Sequence, residues 1–196
     1  MLRAVLGLEA KNPAIILPDA IIDETVKECV LGSLSYNGQR CTALKILFVH
    51  ENIYDVFIKK FIREVDNLRY GMPWDDNVNI TPLPETGKPK WLSELVDEAL
   101  EKGAIISNKN GGRLNESSFF PVVLENVNSS MRIYHEEQFG PVIPVVRYKN
   151  IDEPLNYVIS SNFGQQASIF GQDAYQISTL VDTLVNQVCR VNINSQ

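Results

Sequence analysis

The chain has 196 residues with 18 Lys and Arg against 24 Asp and Glu, a net charge of −6. This length can bury one sizeable core. The acidic balance argues against nucleic acid or an anionic membrane surface as a partner, because both select clustered basic residues. Apolar runs such as Ala14-Ile15-Ile16-Leu17 are far shorter than the roughly 20 residues of a membrane span, so we expect no membrane partner.

The predicted elements alternate between strands and helices along the whole chain. In order, they are a strand over 14–17, a helix beginning at Asp23, a strand over 44–50, a helix over 52–68, a helix over 91–102, strands over 104–106, 119–124 and 142–146, a helix over 152–160, a strand over 166–170, a helix over 174–185 and an extended run over 190–193. Helical crossovers of this length imply a mostly parallel, open twisted sheet with flanking helices. The fold class is therefore α/β, with one domain over 1–196.

Two helices carry specific local signals. Asp23 is predicted to be the N-cap of its helix, because Asp is a preferred residue at that position. Gly103 is predicted to end the helix over 91–102, because glycine is typical of the residue that follows a helix. The helix over 52–68 is amphipathic, and its predicted apolar face consists of Val56, Phe57, Phe61, Val65 and Leu68.

The three cysteines, Cys29, Cys41 and Cys189, are an odd number without C-x-x-C spacing. They predict neither a disulfide framework nor a metal site, and they favour a reducing, cytoplasmic location. Cys41 follows the turn signal Asn37-Gly38, which can present its thiol at a loop edge, where a thiolate attacks carbonyl carbons well. The alternative is a buried structural cysteine, and Cys29 and Cys189 fit that alternative better.

Four segments in order resemble the aldehyde dehydrogenase superfamily across essentially the whole chain. They are Lys11-Asn12-Pro13, Asn37-Gly38-Gln39-Arg40-Cys41, Glu136-Glu137-Gln138-Phe139-Gly140-Pro141-Val142 and Asn162-Phe163-Gly164. The resemblance implies that Cys41 is the catalytic nucleophile, which forms a thioester as an aldehyde is oxidised to the carboxylic acid with NADP or NAD. It also implies that Glu137 binds the nicotinamide ribose and that Phe139 packs near the nicotinamide ring. From composition alone, Glu136 and Glu137 would instead form a solvated acidic face.

Within the superfamily, the chain most resembles the non-phosphorylating, NADP-dependent glyceraldehyde-3-phosphate dehydrogenases. The stretches that carry this likeness are 38–43, 79–83, 98–104 and 191–194. The resemblance implies that Arg40 holds the substrate phosphate, for which a guanidinium fork is suited. Aldehyde dehydrogenases of unphosphorylated substrates also carry Gly-Gln-Arg-Cys, so a different aldehyde stays open. The parent enzyme is expected to be a homo-oligomer.

One position departs from the family pattern. The family's Glu-Leu-Gly-Gly-Lys corresponds to Gly7-Leu8-Glu9-Ala10-Lys11, so the residue expected to activate water is Gly7. Glu9 lies two residues further, a displacement of about 6–7 Å on an extended chain. Glu9 is the candidate catalytic base through a shifted backbone; alternatively Glu137 assists, or hydrolysis is slow and another acyl acceptor such as CoA is used.

The sequence contains no Gly-rich dinucleotide-binding fingerprint, since Gly111-Gly112 is only a turn pair. We therefore expect a fragment that lacks the upstream dinucleotide-binding domain and a C-terminal segment, and that has no dehydrogenase activity alone. A catalytically retired domain kept for assembly is the remaining alternative.

Overall fold

The computed structural model describes residues 7–115 and 118–196, which fold around one main sheet. The strands in chain order are β1 (Pro13–Ile16), β2 (Ile46–His50), β3 (Ile105–Ile106), β4 (Leu114–Asn115), β5 (Ser118–Phe119), β6 (Val122–Glu125), β7 (Val142–Tyr148), β8 (Ala167–Phe170) and β9 (Val191–Ile193). The seven-stranded sheet has the order β3-β6-β7-β2-β1-β8-β9. Only its β3–β6 pair is antiparallel, which confirms the predicted α/β class.

The helices flank this sheet. They are α1 (Ile22–Leu34), α2 (Glu51–Asp66), α3 (Lys88–Glu101), α4 (Arg132–His135), α5 (Asp152–Ser160) and α6 (Ala174–Leu184). Helix α5 has the predicted bounds, α2 and α6 agree within two residues, and α3 begins three residues earlier than predicted. The short helix α4 was not predicted. No helix in the described part of the chain is long and apolar enough to cross a membrane.

The prediction that Asp23 caps α1 was wrong. Ile21 occupies the N-cap position without a side-chain cap, and Asp23 lies inside the first turn. There its carboxylate pairs with Lys60 of α2, and a negative charge in a first turn favours the helix through its dipole. Gly103, by contrast, follows α3 in the left-handed conformation (φ 97°) expected of a helix-ending glycine.

Two further differences have simple physical reasons. The strand predicted over 119–124 is divided, because β5 pairs with β4 in a separate ribbon while β6 joins the main sheet. Pro121 lies between them and has no N–H for a ladder bond. On α2, Phe57 and Phe61 are fully buried and stacked, but Val56 is 55% exposed. One residue corresponds to about 100° around a helix, so Val56 falls outside the apolar face.

The candidate site lies at the amino end of the parallel strands. Lys11 and Asn12 precede β1, Cys41 precedes β2, Glu137 precedes β7, and Gln166 precedes β8. Because neighbouring parallel strands begin at the same edge, these segments meet there. Open α/β sheets more often bind ligands at the carboxyl edge, so strand position alone would have directed the search to the wrong side of this sheet.

Candidate active site

A left-handed turn presents Cys41. Tyr36, Asn37 and Gly38 all have positive φ angles, of 53°, 57° and 71°. The Asn37 side chain holds this turn, because its Oδ1 accepts from the Thr81 N–H at 3.0 Å and its Nδ2 donates to the Thr81 carbonyl at 3.1 Å. The turn before the nucleophile is therefore fixed by a loop 44 residues away in sequence.

Gly38 is required in this turn for two reasons. A Cβ there would lie 2.7 Å from the Gly140 carbonyl oxygen and 2.8 Å from that of Ser33, and the φ of +71° disfavours side chains. We expect Gly38→Ala to reduce the free energy of unfolding by about 2–4 kcal/mol, measured by urea denaturation. Gly87→Ala, where a Cβ meets nothing within 4 Å, should cost less than about 1 kcal/mol. Equal losses in the two variants would contradict this account of the turn.

The three cysteines differ in exposure. Cys41 is exposed and Cys29 is buried, and burial raises the pKa of the Cys29 thiol. The exposure of Cys41 and the burial of Cys29 confirm the predictions made from the sequence. The expectation for Cys189 was wrong, since its thiol is exposed: the residue follows α6 in a surface loop rather than within a core element. The backbone N–H of Cys41 donates no hydrogen bond within the described residues, which leaves a donor beside the thiol.

Side-chain amides from neighbouring segments hold the backbone from Cys41 to Ala43. Asn12 Nδ2 donates to the carbonyls of Cys41 at 2.7 Å and Ala43 at 2.8 Å. Gln166 Nε2 donates to the carbonyl of Thr42 at 2.8 Å. Three consecutive carbonyls are thus fixed by the residues just before β1 and β8, which preorganises the position of the nucleophile.

A third amide, Gln138, joins the β7 segment to this cluster. Its Nε2 donates to the carbonyls of Lys45 at 2.8 Å and Val142 at 2.7 Å, and its Oε1 accepts from Lys11 Nζ at 2.6 Å. Burial lowers the pKa of Lys11 well below its ordinary value; nearby Lys45 lowers it further, while Glu137 acts in the opposite direction. None of these contacts was predicted from the sequence. The available signal was an amide residue at or shortly before the start of three predicted strands, those over 14–17, 142–146 and 166–170.

Lys45 connects the turn to Glu137 and Phe139. Its buried Nζ lies 3.2 Å from Glu137 Oε1, 3.3 Å from the Gly38 carbonyl oxygen and 5.0 Å from the centroid of the Phe139 ring. Burial lowers the pKa of Lys45, and the charges of Glu137 and Cys41 oppose that change. Lys45 therefore joins Glu137 and Phe139 to the turn that precedes Cys41.

The two adjacent glutamates point in different directions. Glu136 pairs with Arg132 on the surface through two contacts of 2.8 Å, and this hydrogen-bonded pairing lowers the pKa of Glu136. Glu137 is only 10% exposed and faces Lys45. Its Oε1 is buried, and its contact with Lys45 is an ion pair that lacks hydrogen-bond geometry. The prediction of a solvated acidic face is therefore correct for Glu136 and wrong for Glu137. Glu137 instead offers a buried hydrogen-bond acceptor close to the Phe139 ring, a combination that suits a ligand with a sugar and an adjoining flat ring.

Arg40 lies at the edge of the same turn. Its Nη2 donates to Gln196 Oε1 at 2.7 Å, and its guanidinium carbon lies 5.9 Å from the Tyr36 ring centroid. Its Nε is buried and has no hydrogen-bond partner in the described chain. No carboxylate neutralises Arg40 among residues 7–115 and 118–196, so its charge stays available to an anion.

Glu9 and Gly7 make no hydrogen bond or ion pair with Lys45, Glu137 or Cys41 in the described part of the chain. Both residues are exposed on the segment before β1, and a Cβ on Gly7 would meet nothing within 4 Å. Within the described residues, Glu9 has no hydrogen bond or ion pair to the groups around Cys41. Across those same residues, no group of three or more His, Cys, Asp or Glu side chains is arranged to hold a metal ion.

Comparison with known proteins places this geometry in a family. The aldehyde dehydrogenase family profile matches residues 1–196. An NADP-dependent glyceraldehyde-3-phosphate dehydrogenase of Streptococcus equinus is 39% identical over 194 residues, which are 98% of this chain and 39% of that protein. A succinate-semialdehyde dehydrogenase of Mycobacterium bovis is 34% identical over 183 residues, which cover 92% of this chain and 40% of that protein.

Solved structures agree. The NADP-dependent glyceraldehyde-3-phosphate dehydrogenase of Bacillus halodurans, crystallised with NADP, superposes with a TM-score of 0.90 at 35% identity, over 96% of this chain and 38% of that one. The chain thus spans about two fifths of the relatives that it matches. With its match over the full length and the shared fold, the chain belongs to the aldehyde dehydrogenase family.

Proposed function

We propose that the chain is the catalytic domain of an NAD(P)-dependent aldehyde dehydrogenase, which oxidises an aldehyde to the carboxylic acid through a Cys41 thioester. The observation that carries this proposal is the exposed Cys41 thiol on a left-handed turn beside the buried Lys45–Glu137 ion pair. The exposed thiols of Cys41 and Cys189 suit a reducing compartment, so we place the enzyme in the cytoplasm.

Cys41 acts first in this mechanism. Its thiolate adds to the aldehyde carbon and forms a hemithioacetal, whose oxygen carries negative charge. The N–H of Cys41, which donates to no acceptor within residues 7–115 and 118–196, stabilises that oxyanion, and the hydrogen bonds from Asn12 and Gln166 hold the backbone beside it. The adduct is then oxidised to the thioester, and water releases the acid.

Glu137 and Phe139 fit a nicotinamide cofactor. The Glu137 carboxylate would accept hydrogen bonds from ribose hydroxyls, and the Phe139 ring offers an apolar surface beside it. When bound, the cofactor supplies the hydride acceptor for the oxidation step. We propose NADP, because the Streptococcus equinus and Bacillus halodurans relatives are NADP-dependent. A further domain outside this chain would hold most of the cofactor, and the chain alone would then show no dehydrogenase activity.

The water-activating step is assigned to Glu9. Gly7 has no side chain to serve as a base, and Glu9 is the nearest carboxylate along this exposed segment. A carboxylate that accepts a proton from water as it attacks a thioester acts as a general base.

The substrate that we propose is glyceraldehyde 3-phosphate, with Arg40 as the phosphate ligand. Arg40 is free of carboxylate partners in the described residues, and its only hydrogen bond, to Gln196, is to a neutral group that a phosphate can displace. The names of the Streptococcus equinus and Bacillus halodurans relatives support this substrate class.

Arg40→Ala, made in the enzyme that includes the cofactor-binding domain, tests the substrate. We expect KM for glyceraldehyde 3-phosphate to rise by roughly 10- to 100-fold, because a charge-assisted, forked contact is lost. KM for propanal, which has no anionic group, should change by less than about twofold. Arg63→Ala is the control, since Arg63 lies on α2 and pairs with Glu64.

Two results would overturn the substrate assignment. An unchanged KM for glyceraldehyde 3-phosphate in Arg40→Ala would exclude the phosphate contact. A higher kcat/KM of the unmutated enzyme for succinate semialdehyde than for the phosphorylated aldehyde would instead favour the activity named for the Mycobacterium bovis relative.

A further inference from the structure

Lys45 is a buried cation held against the turn that precedes the proposed nucleophile, and no step described above uses it. Only 1% of its side chain is exposed, and lysines are almost never buried this fully unless they are paired. Its Nζ lies between the Gly38 carbonyl of the Cys41 turn and the Glu137 carboxylate of the β7 segment. An ammonium held by both segments fixes them relative to each other and places a positive charge against the turn that leads to Cys41.

The other charged groups around Lys45 are few. Lys11 approaches it from the β1 segment and Lys88 from α3, where Lys88 Nζ lies 5.8 Å from the Phe139 ring centroid. Both repel the Lys45 ammonium. Glu137 is the only carboxylate within 4 Å of Lys45 Nζ in the described residues, and the Gly38 carbonyl that Lys45 also contacts lies three residues before Cys41.

We propose that Lys45 is a positioning residue that sets the reactivity of the Cys41 thiol, with Glu137 as its counter-charge. A positive charge close to a cysteine favours the thiolate, and a negative charge opposes it. In the ion pair, the effect of the Lys45 charge on the Cys41 thiolate is offset by the effect of the Glu137 charge. Removal of either partner leaves the charge of the other uncompensated. This inference rests on the proposed role of Cys41 but concerns the thiol alone, without aldehyde or cofactor.

The two partners should have opposite effects on the rate at which Cys41 is alkylated. Lys45→Met leaves Glu137 unpaired near the thiol, so the thiolate becomes less favourable. Glu137→Gln leaves the Lys45 ammonium without a counter-charge, and the Cys41 thiolate then becomes its partner. A role limited to holding the fold together would not produce changes of opposite sign.

The experiment measures alkylation of Cys41 by iodoacetamide in the chain between pH 6 and 10, with peptide mass spectrometry to separate Cys41 from Cys189. Iodoacetamide is uncharged, so the nearby cations do not attract it. At pH 7.5 we expect Lys45→Met to slow alkylation about tenfold and to move the midpoint of the rate–pH profile upward by about one unit. Glu137→Gln should accelerate alkylation about threefold or more, and Lys45→Arg should stay within about threefold of the unmutated chain.

Lys60→Met is the matched control, because Lys60 also pairs with a carboxylate, that of Asp23, but on the surface away from Cys41. It should leave the rate unchanged. The proposal is overturned if Lys45→Met and Glu137→Gln change the rate in the same direction, or if Glu137→Gln gives no acceleration. A lack of acceleration in Glu137→Gln would overturn the proposal even if Lys45→Met fails to fold. Failure of the proposed dehydrogenase function would appear separately, as aldehyde oxidation that survives the loss of Cys41.

Discussion

Replacement of Cys41 by Ser is expected to abolish acylation of the chain by p-nitrophenyl acetate. An activated ester acylates a thiolate without any cofactor, so the unmutated chain should release a burst of one p-nitrophenolate per chain. A serine hydroxyl needs an adjacent general base to attack, and the Lys45 ammonium held against this turn cannot accept its proton. We expect the rate of the burst to fall by roughly 100-fold or more, measured by stopped-flow absorbance.

Cys189→Ser is the control for this prediction. Cys189 is also an exposed thiol, but no buried lysine–carboxylate pair and no amide clamp of the kind formed by Asn12 accompanies it in the described chain. The burst should persist in Cys189→Ser with its full amplitude. If Cys189→Ser lost the burst while Cys41→Ser retained it, the nucleophile would be Cys189. That result would contradict the proposed mechanism.

Glu9→Gln is expected to separate acylation from hydrolysis. The burst should keep its rate, because the thiol is untouched, while the steady-state turnover that follows should fall by roughly 100-fold or more through loss of the base. The acetyl group should then accumulate on Cys41, as intact-mass spectrometry would show. Normal steady-state turnover in Glu9→Gln would exclude Glu9 as the base and leave Glu137 or another acyl acceptor.

Gly7→Glu in the Glu9→Gln background gives the complementary prediction. A side chain at Gly7 meets open space, and this is the position where family members carry their glutamate by the sequence match. We expect the added carboxylate to restore hydrolysis by tenfold or more, a part of the roughly 10²–10⁴-fold that general-base catalysis contributes. Gly7→Gln in the same background has similar size without the basic oxygen and should restore nothing. Equal rates in the two variants would show that a carboxylate at this position has no part in activating water.

Periodicity and composition were sufficient to predict most of the fold. Alternating strands and helices gave the parallel sheet, and α5 has the predicted bounds because its apolar positions and flanking residues agree. The errors arose where tertiary contacts decided the outcome. Asp23 pairs with a second helix instead of capping its own, and Pro121 divides two strands that belong to different sheets.

The candidate site was predictable as a set of motifs but not as an arrangement. Cys41, Glu137 and Phe139 were recognised from short local patterns, and the structure brings them together. The groups that hold them were not recognised, because each contact joins residues distant in sequence: Lys11 and Gln138 are 127 positions apart, and Gln138 and Lys45 are 93 apart. The sequence alone does not distinguish the buried Lys45 from a surface lysine, because its burial depends on contacts made in the folded chain.

The most direct test of the account is to trap the intermediate during aldehyde oxidation. The enzyme that includes the cofactor-binding domain, carrying Glu9→Gln, would be mixed with NADP and glyceraldehyde 3-phosphate, quenched in acid and mapped by peptide mass spectrometry. The account predicts one acyl group per active site, on the peptide that contains Cys41, and no NADP reduction when Cys41 is replaced by Ser. NADP reduction in Cys41→Ser, or an acyl group on another residue, would contradict it.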